Sequence, residues 1–197
     1  MAAVNTVPRW VIEMCKGKKV LNLGCADDFF GDIRVDMEKS PATTLVANVE
    51  EGLPIKAESV DVVYMQFMFE HLTNIGKVMK ECHRVLKKDG KIIIITDNAG
   101  FIGFHSGKWT PVLSTIHYGG YRNSDGDMHF GLYTPEHIRN HLERSGFRVL
   151  KIKYQKYWEV RPRPFIKRNL AKFVDKIFTL LGLEQLSGYS IFAVGVK

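Results

Sequence analysis

The sequence predicts an α/β fold built on a doubly wound, mostly parallel sheet. The segment KIIIIT, residues 91–96, is a continuous apolar run, which is typical of a strand covered on both faces. Before it, apolar residues recur at spacings of three and four over residues 72–86, as in an amphipathic helix. A second apolar run, VDVVYMQ at residues 60–66, precedes that helix. This alternation of strand, helix and strand indicates parallel strands joined by right-handed crossovers.

Shorter segments extend this pattern in both directions. One apolar helical face over residues 7–14 predicts a short first helix. Five further strands are predicted over short apolar runs at residues 19–23, 33–37, 44–46, 147–154 and 190–196. Thr134 and Pro135 suit the N-cap and first turn of a helix that ends near Gly146. Residues 97–132 show no periodicity, so we expect a long loop that covers a site.

Length and composition indicate one soluble domain. The 197 residues suit a single domain, in which we predict a basic helical insert at about residues 158–186. Three cysteines are an odd number without metal-ligand spacing, so we predict neither a disulfide framework nor a zinc site. The chain shows no secretory or membrane-spanning segment, and we expect a cytoplasmic protein. The net charge of +7 favours anionic partners.

A nucleotide-type site is indicated near the start of the chain. Gly24 follows a strand, where a missing Cβ allows close approach of a ligand, and Asp36 ends the next strand, where a carboxylate can accept both ribose hydroxyls. Ala26 and Phe29 break the dinucleotide fingerprint, which favours a nucleoside-type ligand over NAD. Residues 25–32 can span a parallel crossover only as a stretched loop, and the alternative, an antiparallel hairpin, would separate Gly24 from Asp36.

Six segments together resemble class I S-adenosylmethionine-dependent methyltransferases over roughly residues 18–154. They are VLNLGC, VDM, VANVEEGLPI, SVDVVYMQFMFEHL, HRVLKKDGKIIII and SGFRV. The similarity is to short members whose first two connecting helices are trimmed. It implies a seven-stranded, Rossmann-like sheet with an antiparallel last strand, S-adenosylmethionine as the cofactor and methyltransferase activity.

The resemblance also implies where the cofactor binds. The implied contacts are Gly24 and Cys25 with the methionine part, Asp36 with the ribose, Met37, Asn48 and Val49 around the adenine, and Met65 and Gln66 where the methionine part and the acceptor meet. Asn48 stands where the family usually has an aspartate, although its carbonyl oxygen can still accept a hydrogen bond. Ala26 replaces a second glycine, and Asn22 replaces the common aspartate of the first strand.

His129 is the predicted catalytic residue, in a segment that resembles the substrate side of short methyltransferases. A histidine titrates in the range that suits proton removal from an acceptor, although packing within the loop is the alternative role. His105, His117 and Asp127 would complete a metal set, but their spacing fits no standard pattern, and we predict no metal. For His71, and for the glutamate before it, a capping or core role is favoured over catalysis.

The insert is predicted to contain a basic amphipathic helix. Its apolar face is formed by Ile166, Leu170, Phe173, Ile177 and Leu181, and its basic residues include Lys167, Arg168, Lys172 and Lys176. It can dock on the domain itself, form a homodimer contact, or lie on an anionic membrane, which would make the protein peripheral to that membrane. Nucleic-acid binding is disfavoured because no stacking platform is present.

The predicted function is methyl transfer to a small molecule, a sugar or a lipid-linked compound. An RNA or protein acceptor is an alternative within this class. A non-catalytic methyltransferase-like partner subunit is an alternative from another class, made possible by Ala26 and Asn48. An NAD-dependent oxidoreductase is disfavoured by the missing glycines. The acceptor atom and the pathway are not determined by the sequence.

Overall fold

One seven-stranded sheet organises the part of the chain that the computed structural model describes, which is residues 7–101, 129–156 and 165–197. The strands in chain order are β1 Val20–Leu23, β2 Ile33–Asp36, β3 Leu45–Val46, β4 Val60–Gln66, β5 Leu86–Asp97, β6 Arg148–Lys156 and β7 Gly188–Val196. The helices are α1 Arg9–Cys15, α2 Ile75–Val85, α3 Pro135–Arg144, α4 Phe165–Leu180 and α5 Glu184–Ser187. A 3-10 turn, Phe69–His71, lies between β4 and α2.

The strand order across the sheet is β3-β2-β1-β4-β5-β7-β6. Strands β1 to β5 pair in parallel with their neighbours, whereas β7 is antiparallel to both β5 and β6. The predicted α/β class, the mostly parallel sheet and the antiparallel last strand are therefore confirmed.

Strands β1 and β2 are parallel although residues 24–32 join them without a helix. Two hydrogen bonds hold the connection against β1: the Asp32 carboxylate accepts from the Val20 amide (2.7 Å), and the Asn22 side chain donates to the Phe30 carbonyl (3.0 Å). The antiparallel hairpin is thereby excluded, and the ends of β1 and β2 lie at the same edge of the sheet.

The sheet is covered on both faces. On one face, a large core that includes Leu23, Val63 and Met65 packs against buried side chains of α2 and α3. On the other face, a smaller core that includes Val62 and Tyr64 packs against α1. Residues 92–95 of β5 are fully buried, because successive side chains enter opposite cores. This two-sided burial explains the continuous apolar run. None of the helices in the described ranges is long and apolar enough to cross a membrane.

Side chains cap the N-termini of α2 and α3, and the starts of α2 and β5 differ from the prediction. Asn74 accepts from the Lys77 amide and begins α2 later than expected, because the 3-10 turn occupies the preceding residues. Thr134 caps α3 as predicted, in a reciprocal capping box with His137. Strand β5 begins at Leu86 rather than residue 91, because Leu86 pairs with Val60 ahead of a register shift.

Candidate functional site

The candidate site lies along the edge of the sheet where the parallel strands end. Strands β1, β2, β4 and β5 finish at Leu23, Asp36, Gln66 and Asp97. The carboxyl ends of parallel strands meet at one edge, which is where open α/β sheets bind their ligands. The residues predicted for cofactor binding and the region around His129 are thus brought to the same edge.

The loop after β1 and the carboxylate at the end of β2 converge. The Asp36 carboxylate accepts hydrogen bonds from the backbone amides of Ala26 (2.8 Å) and Glu38 (3.1 Å), one on each oxygen. The Val35 carbonyl accepts from the amide of Gly24 at 2.8 Å. Asp36 is half-buried, and each carboxylate oxygen has a second lone pair, so both oxygens can still accept hydroxyl donors.

Packing against Met68 requires a glycine at position 24. Its φ is +70°, and a Cβ added there would lie 2.7 Å from Cγ of Met68 and 2.9 Å from its Cβ. Ala26 also has a left-handed backbone, with φ of 44°, so the alanine adopts the kind of conformation that favours glycine. Phe67, directly after β4, is left-handed too, with φ of 51°. Strained backbone of this kind often accompanies functional sites.

The side chains predicted to contact the cofactor include exposed and buried ones. Met37 is 67% exposed beside Asp36, so its side chain is available to a flat ligand. Cys25, Val49 and Met65 are buried, and their side chains belong to the protein interior. Burial raises the pKa of the Cys25 thiol, which keeps this group a neutral thiol. These three residues can offer a ligand only backbone groups.

Asn48 is engaged by its own turn. Its side-chain oxygen accepts from the Glu50 amide (3.0 Å), and its nitrogen donates to the Glu51 carboxylate (3.2 Å). The second lone pair and the second hydrogen of the amide leave capacity for a ligand. Its role at the adenine stays a prediction.

Gln66 carries a polar atom with unused hydrogen-bonding capacity. Its side-chain oxygen accepts from the Tyr64 hydroxyl, which fixes the amide, whereas its nitrogen is buried and has no hydrogen-bond partner in the described ranges. A buried donor left unpaired is costly, so such an atom calls for an explanation. A ligand acceptor at the end of β4 would satisfy it.

His129 and Asp97 lie together at the end of β5. The His129 Nδ1 atom is 3.6 Å from Oδ2 of Asp97, and both side chains are largely buried, 21% and 6% exposed. The His71 ring packs edge-on against the His129 ring, with the centroids 4.5 Å apart. No role was predicted for Asp97, although a polar residue directly after the predicted strand at residues 91–96 was the available signal.

The turn after β4 positions His129. The Glu70 carbonyl accepts from the amides of Phe130 (2.8 Å) and Gly131 (3.2 Å), and its buried carboxylate accepts from the Thr96 hydroxyl (2.8 Å). Glu70 therefore has a structural role, as expected. Burial and the Glu70 charge raise the pKa of Tyr133 to about 12.

The other candidate metal ligands, His105, His117 and Asp127, lie outside the described residues. Within the described ranges, no group of three or more histidine, cysteine, aspartate or glutamate residues could hold a metal ion.

These residues fit S-adenosylmethionine in three respects. Asp36 offers carboxylate oxygens of the kind that bind ribose hydroxyls, Met37 offers an exposed apolar side chain, and Gln66 offers a buried donor. The second glycine of a pyrophosphate cradle is absent at Ala26, which suits a cofactor without phosphates.

Comparison with known proteins agrees with this geometry. Residues 15–94 match a family model described as a methyltransferase domain. A probable S-adenosylmethionine-dependent methyltransferase of Mycobacterium tuberculosis is 30% identical over 117 residues, covering 50% of this chain and 42% of the relative. The ubiquinone/menaquinone biosynthesis C-methyltransferase UbiE of Campylobacter jejuni is 27% identical over 89 residues, covering 43% and 38%. The chain thus spans less than half the length of these curated relatives.

Solved structures share the fold across nearly the whole chain. A SAM-dependent methyltransferase from Archaeoglobus fulgidus aligns with a TM-score of 0.65 and 17% identity, covering 96% of this chain and 90% of that one. A second, from Mesorhizobium loti, aligns with a TM-score of 0.62 and 14% identity, covering 92% and 91%. The predicted fold is confirmed. The chain is thus similar to a methyltransferase domain over residues 15–94, and it shares its fold with solved SAM-dependent methyltransferases.

Proposed function

We propose that the chain transfers a methyl group from S-adenosylmethionine to a small apolar or lipid-linked acceptor at the carboxyl edge of the sheet. The observation that carries this proposal is the convergence of Asp36 on the loop after β1, with the Ala26 amide 2.8 Å from its carboxylate. That convergence depends on the parallel pairing of β1 with β2.

In this proposal, some residues of the chain bind the cofactor and others take part in the methyl transfer. Asp36 would hold the ribose hydroxyls, Met37 would cover the adenine, and Gln66 would donate to the methionine part. Bound there, S-adenosylmethionine would supply an electrophilic methyl group on sulfur. Such a displacement mainly requires that the acceptor nucleophile be aligned with the methyl group. Binding both reactants in the correct orientation provides this alignment, so a strong base is not needed.

His129 would take the proton that the acceptor loses. The neighbouring Asp97 carboxylate, 3.6 Å from Nδ1, stabilises the positive charge that the ring acquires on protonation. Asp97 is therefore a positioning residue in this proposal. Glu70 acts one step further away, because its carbonyl holds the amides that follow His129.

A small acceptor is supported by two observations. The name of the Campylobacter jejuni relative describes a C-methyltransferase of ubiquinone and menaquinone biosynthesis, whose acceptors are small molecules. The candidate site is also flanked by apolar and aromatic side chains, including Met37, Phe67 and Tyr133. Apolar walls with few polar groups are typical of small-molecule sites.

Calorimetric titration tests the cofactor assignment. S-adenosylmethionine should bind and NAD should not. Asp36→Asn should weaken S-adenosylmethionine binding at least tenfold, because hydrogen bonds to a charged group contribute about 1.5–3 kcal/mol each. Glu38→Gln, an exposed carboxylate two residues away, is the matched control and should change affinity less than twofold. Equal affinity of Asp36→Asn and the wild-type protein would show that the ribose is held elsewhere.

Methyl transfer to demethylated quinones tests the reaction. His129→Asn should lower the rate, and Asp97→Asn should shift the acid-side fall of activity to lower pH, since the ring loses a carboxylate that favours its protonated form. A lower rate with an unchanged pH profile would remove the positioning role of Asp97. Cofactor binding without methyl transfer to small molecules would favour a macromolecular acceptor or a non-catalytic subunit.

A further inference from the structure

Helix α4 presents an exposed apolar face. Large apolar side chains recur there at spacings of three and four and remain open to solvent: Phe173 (63% exposed), Val174 (41%), Ile177 (42%), Leu180 (77%) and, just past the helix, Leu181 (64%). Isolated apolar side chains on a surface need no explanation, but a contiguous group on one helix marks an interaction site. No described element of the chain covers this face.

On the opposite side of α4, Asp175 connects the helix to the body of the protein through polar contacts. Asp175 forms an ion pair with Lys156 of β6 (2.6 Å), and both side chains are about 15% exposed or less. The Ser187 hydroxyl of α5 also donates to Asp175 (2.6 Å). Asp175 lies about 160° around the helix from Ile177 at 100° per residue, so these bonds direct the apolar face outward. An amphipathic helix that docks through its polar side leaves its apolar side for another partner.

Charge favours an anionic partner for this helix. Lys172 and Lys176 are exposed on one flank of α4, between the apolar face and Asp175. The preceding and overlapping sequence adds further basic residues, namely Arg161, Arg163, Lys167 and Arg168, whereas Asp175 is the one acidic residue between positions 160 and 183. An apolar stripe flanked by lysine and arginine is the pattern of a helix that lies in the interface of an anionic membrane.

A second copy of the chain fits less well. A symmetric contact through the same helix would bring the Lys172 and Lys176 side chains of both copies toward one another, in a protein whose net charge is already +7. Anionic lipid headgroups would neutralise these charges instead. The positive charge of this helix therefore favours an anionic membrane over a second copy of the chain as the partner of the apolar face.

The helix is connected to the edge of the sheet that carries the candidate site. The buried Asn98 side chain, directly after Asp97, donates to the carbonyls of Gln185 (2.8 Å) and Gly188 (2.7 Å) at the junction of α5 and β7. Helix α5 in turn holds α4 through Ser187 and Asp175. A surface bound by α4 would thus lie on the side of the molecule to which the site belongs.

We propose that the apolar face of α4, with Leu181, inserts into the interface of an anionic membrane and presents the site to a membrane-dissolved acceptor. The second part rests on the proposed methyltransferase function, whereas membrane binding by itself does not.

Vesicle sedimentation tests the membrane contact. The full chain should bind vesicles that contain phosphatidylglycerol and should bind pure phosphatidylcholine at least tenfold more weakly. The double variant Phe173→Gln and Leu180→Gln should lower binding to anionic vesicles at least tenfold, because it removes two exposed apolar side chains. Lys172→Gln with Lys176→Gln should lower it and reduce its salt dependence. Ile12→Gln, at an apolar position on α1 that is 50% exposed, is the control and should bind as the wild type does.

Three results would overturn the inference. They are absence of wild-type binding to anionic vesicles at low salt, wild-type binding by the Phe173 and Leu180 double variant, and loss of a solution dimer rather than of vesicle binding in that variant. Circular dichroism should show that each variant keeps its helix content. Titration with S-adenosylmethionine should be unchanged in these variants, so failure of membrane binding and failure of the cofactor assignment are distinguishable.

Discussion

Substitution of Gly24 by alanine tests the packing that shapes the site. Gly17 offers a matched control, because its φ of +69° is nearly the same as the +70° of Gly24, yet a Cβ at Gly17 would have no neighbour within 4 Å. A Cβ at Gly24 would meet Met68 Cγ at 2.7 Å and Met68 Cβ at 2.9 Å. The Met68 Cβ atom cannot move without its backbone, so a rotamer change alone does not relieve the overlap. The two variants therefore share backbone strain and differ in steric overlap.

The expected magnitudes follow from these two contributions. Left-handed backbone costs an alanine about 1–2 kcal/mol, part of which is offset because alanine has fewer unfolded conformations than glycine. We therefore expect Gly17→Ala to lower the free energy of unfolding by about 1 kcal/mol. Overpacking of a filled interior adds about 1–3 kcal/mol, so Gly24→Ala should lower it by about 2–4 kcal/mol. For a chain of this size, each kcal/mol lowers Tm by about 2–4 °C.

Urea denaturation of the wild-type protein and both variants measures these differences, with thermal unfolding as a second readout. A double-mutant cycle with Met68→Ala, which removes the Cγ contact, completes the test: Gly24→Ala should cost less in the Met68→Ala background than in the wild-type protein. Equal destabilisation by Gly17→Ala and Gly24→Ala would refute the conclusion that Met68 packs over Gly24. It would also remove the structural reason for a glycine at the end of β1.

Two further predictions concern stability. Ala26→Gly should raise the free energy of unfolding by about 0.5–1 kcal/mol. The change relieves left-handed strain of about 1–2 kcal/mol, and the greater chain entropy of glycine offsets about 0.5–1 kcal/mol of this gain. A lower urea midpoint for the variant would contradict this. Hydrogen bonding to Arg84 lowers the pKa of Glu81 from 4.5 to about 2, aided by the Leu53 amide. Because the folded-state pKa is the lower one, this carboxylate stabilises the fold above pH 4.5, and the contribution is lost as the pH falls toward 2. Glu81→Gln should therefore reduce the acid sensitivity of the urea midpoint in that range, and an unchanged pH dependence would show that the pair contributes nothing.

Several elements were predictable because their signal is local. The predicted strand at residues 60–66 agrees with Val60–Gln66, since a central strand is apolar over its whole buried length. The N-cap at Thr134 was also predictable, because a cap involves only neighbouring residues. The start of β5 at Leu86 was not, since it depends on pairing with Val60, which is distant in the chain.

The candidate site shows the same division. Gly24 and Asp36 could be identified from their positions after apolar strands. The burial of Cys25 and Met65 could not, because which side of the sheet a side chain enters depends on the register of the strand and on the helix packed against it. The approach of His129 to Asp97 likewise depends on the Glu70 carbonyl and the chain segment that it holds.

The sequence by itself determined the alternation of strands and helices, the trimmed connection after β1 and the resemblance to methyltransferases, because these follow from apolar periodicity and from short motifs in order. Only the tertiary structure decided that β1 and β2 run in the same direction, that Asp97 faces His129, and that α4 turns its apolar side outward. Each of these depends on contacts between residues far apart in the chain, and local patterns do not encode such contacts.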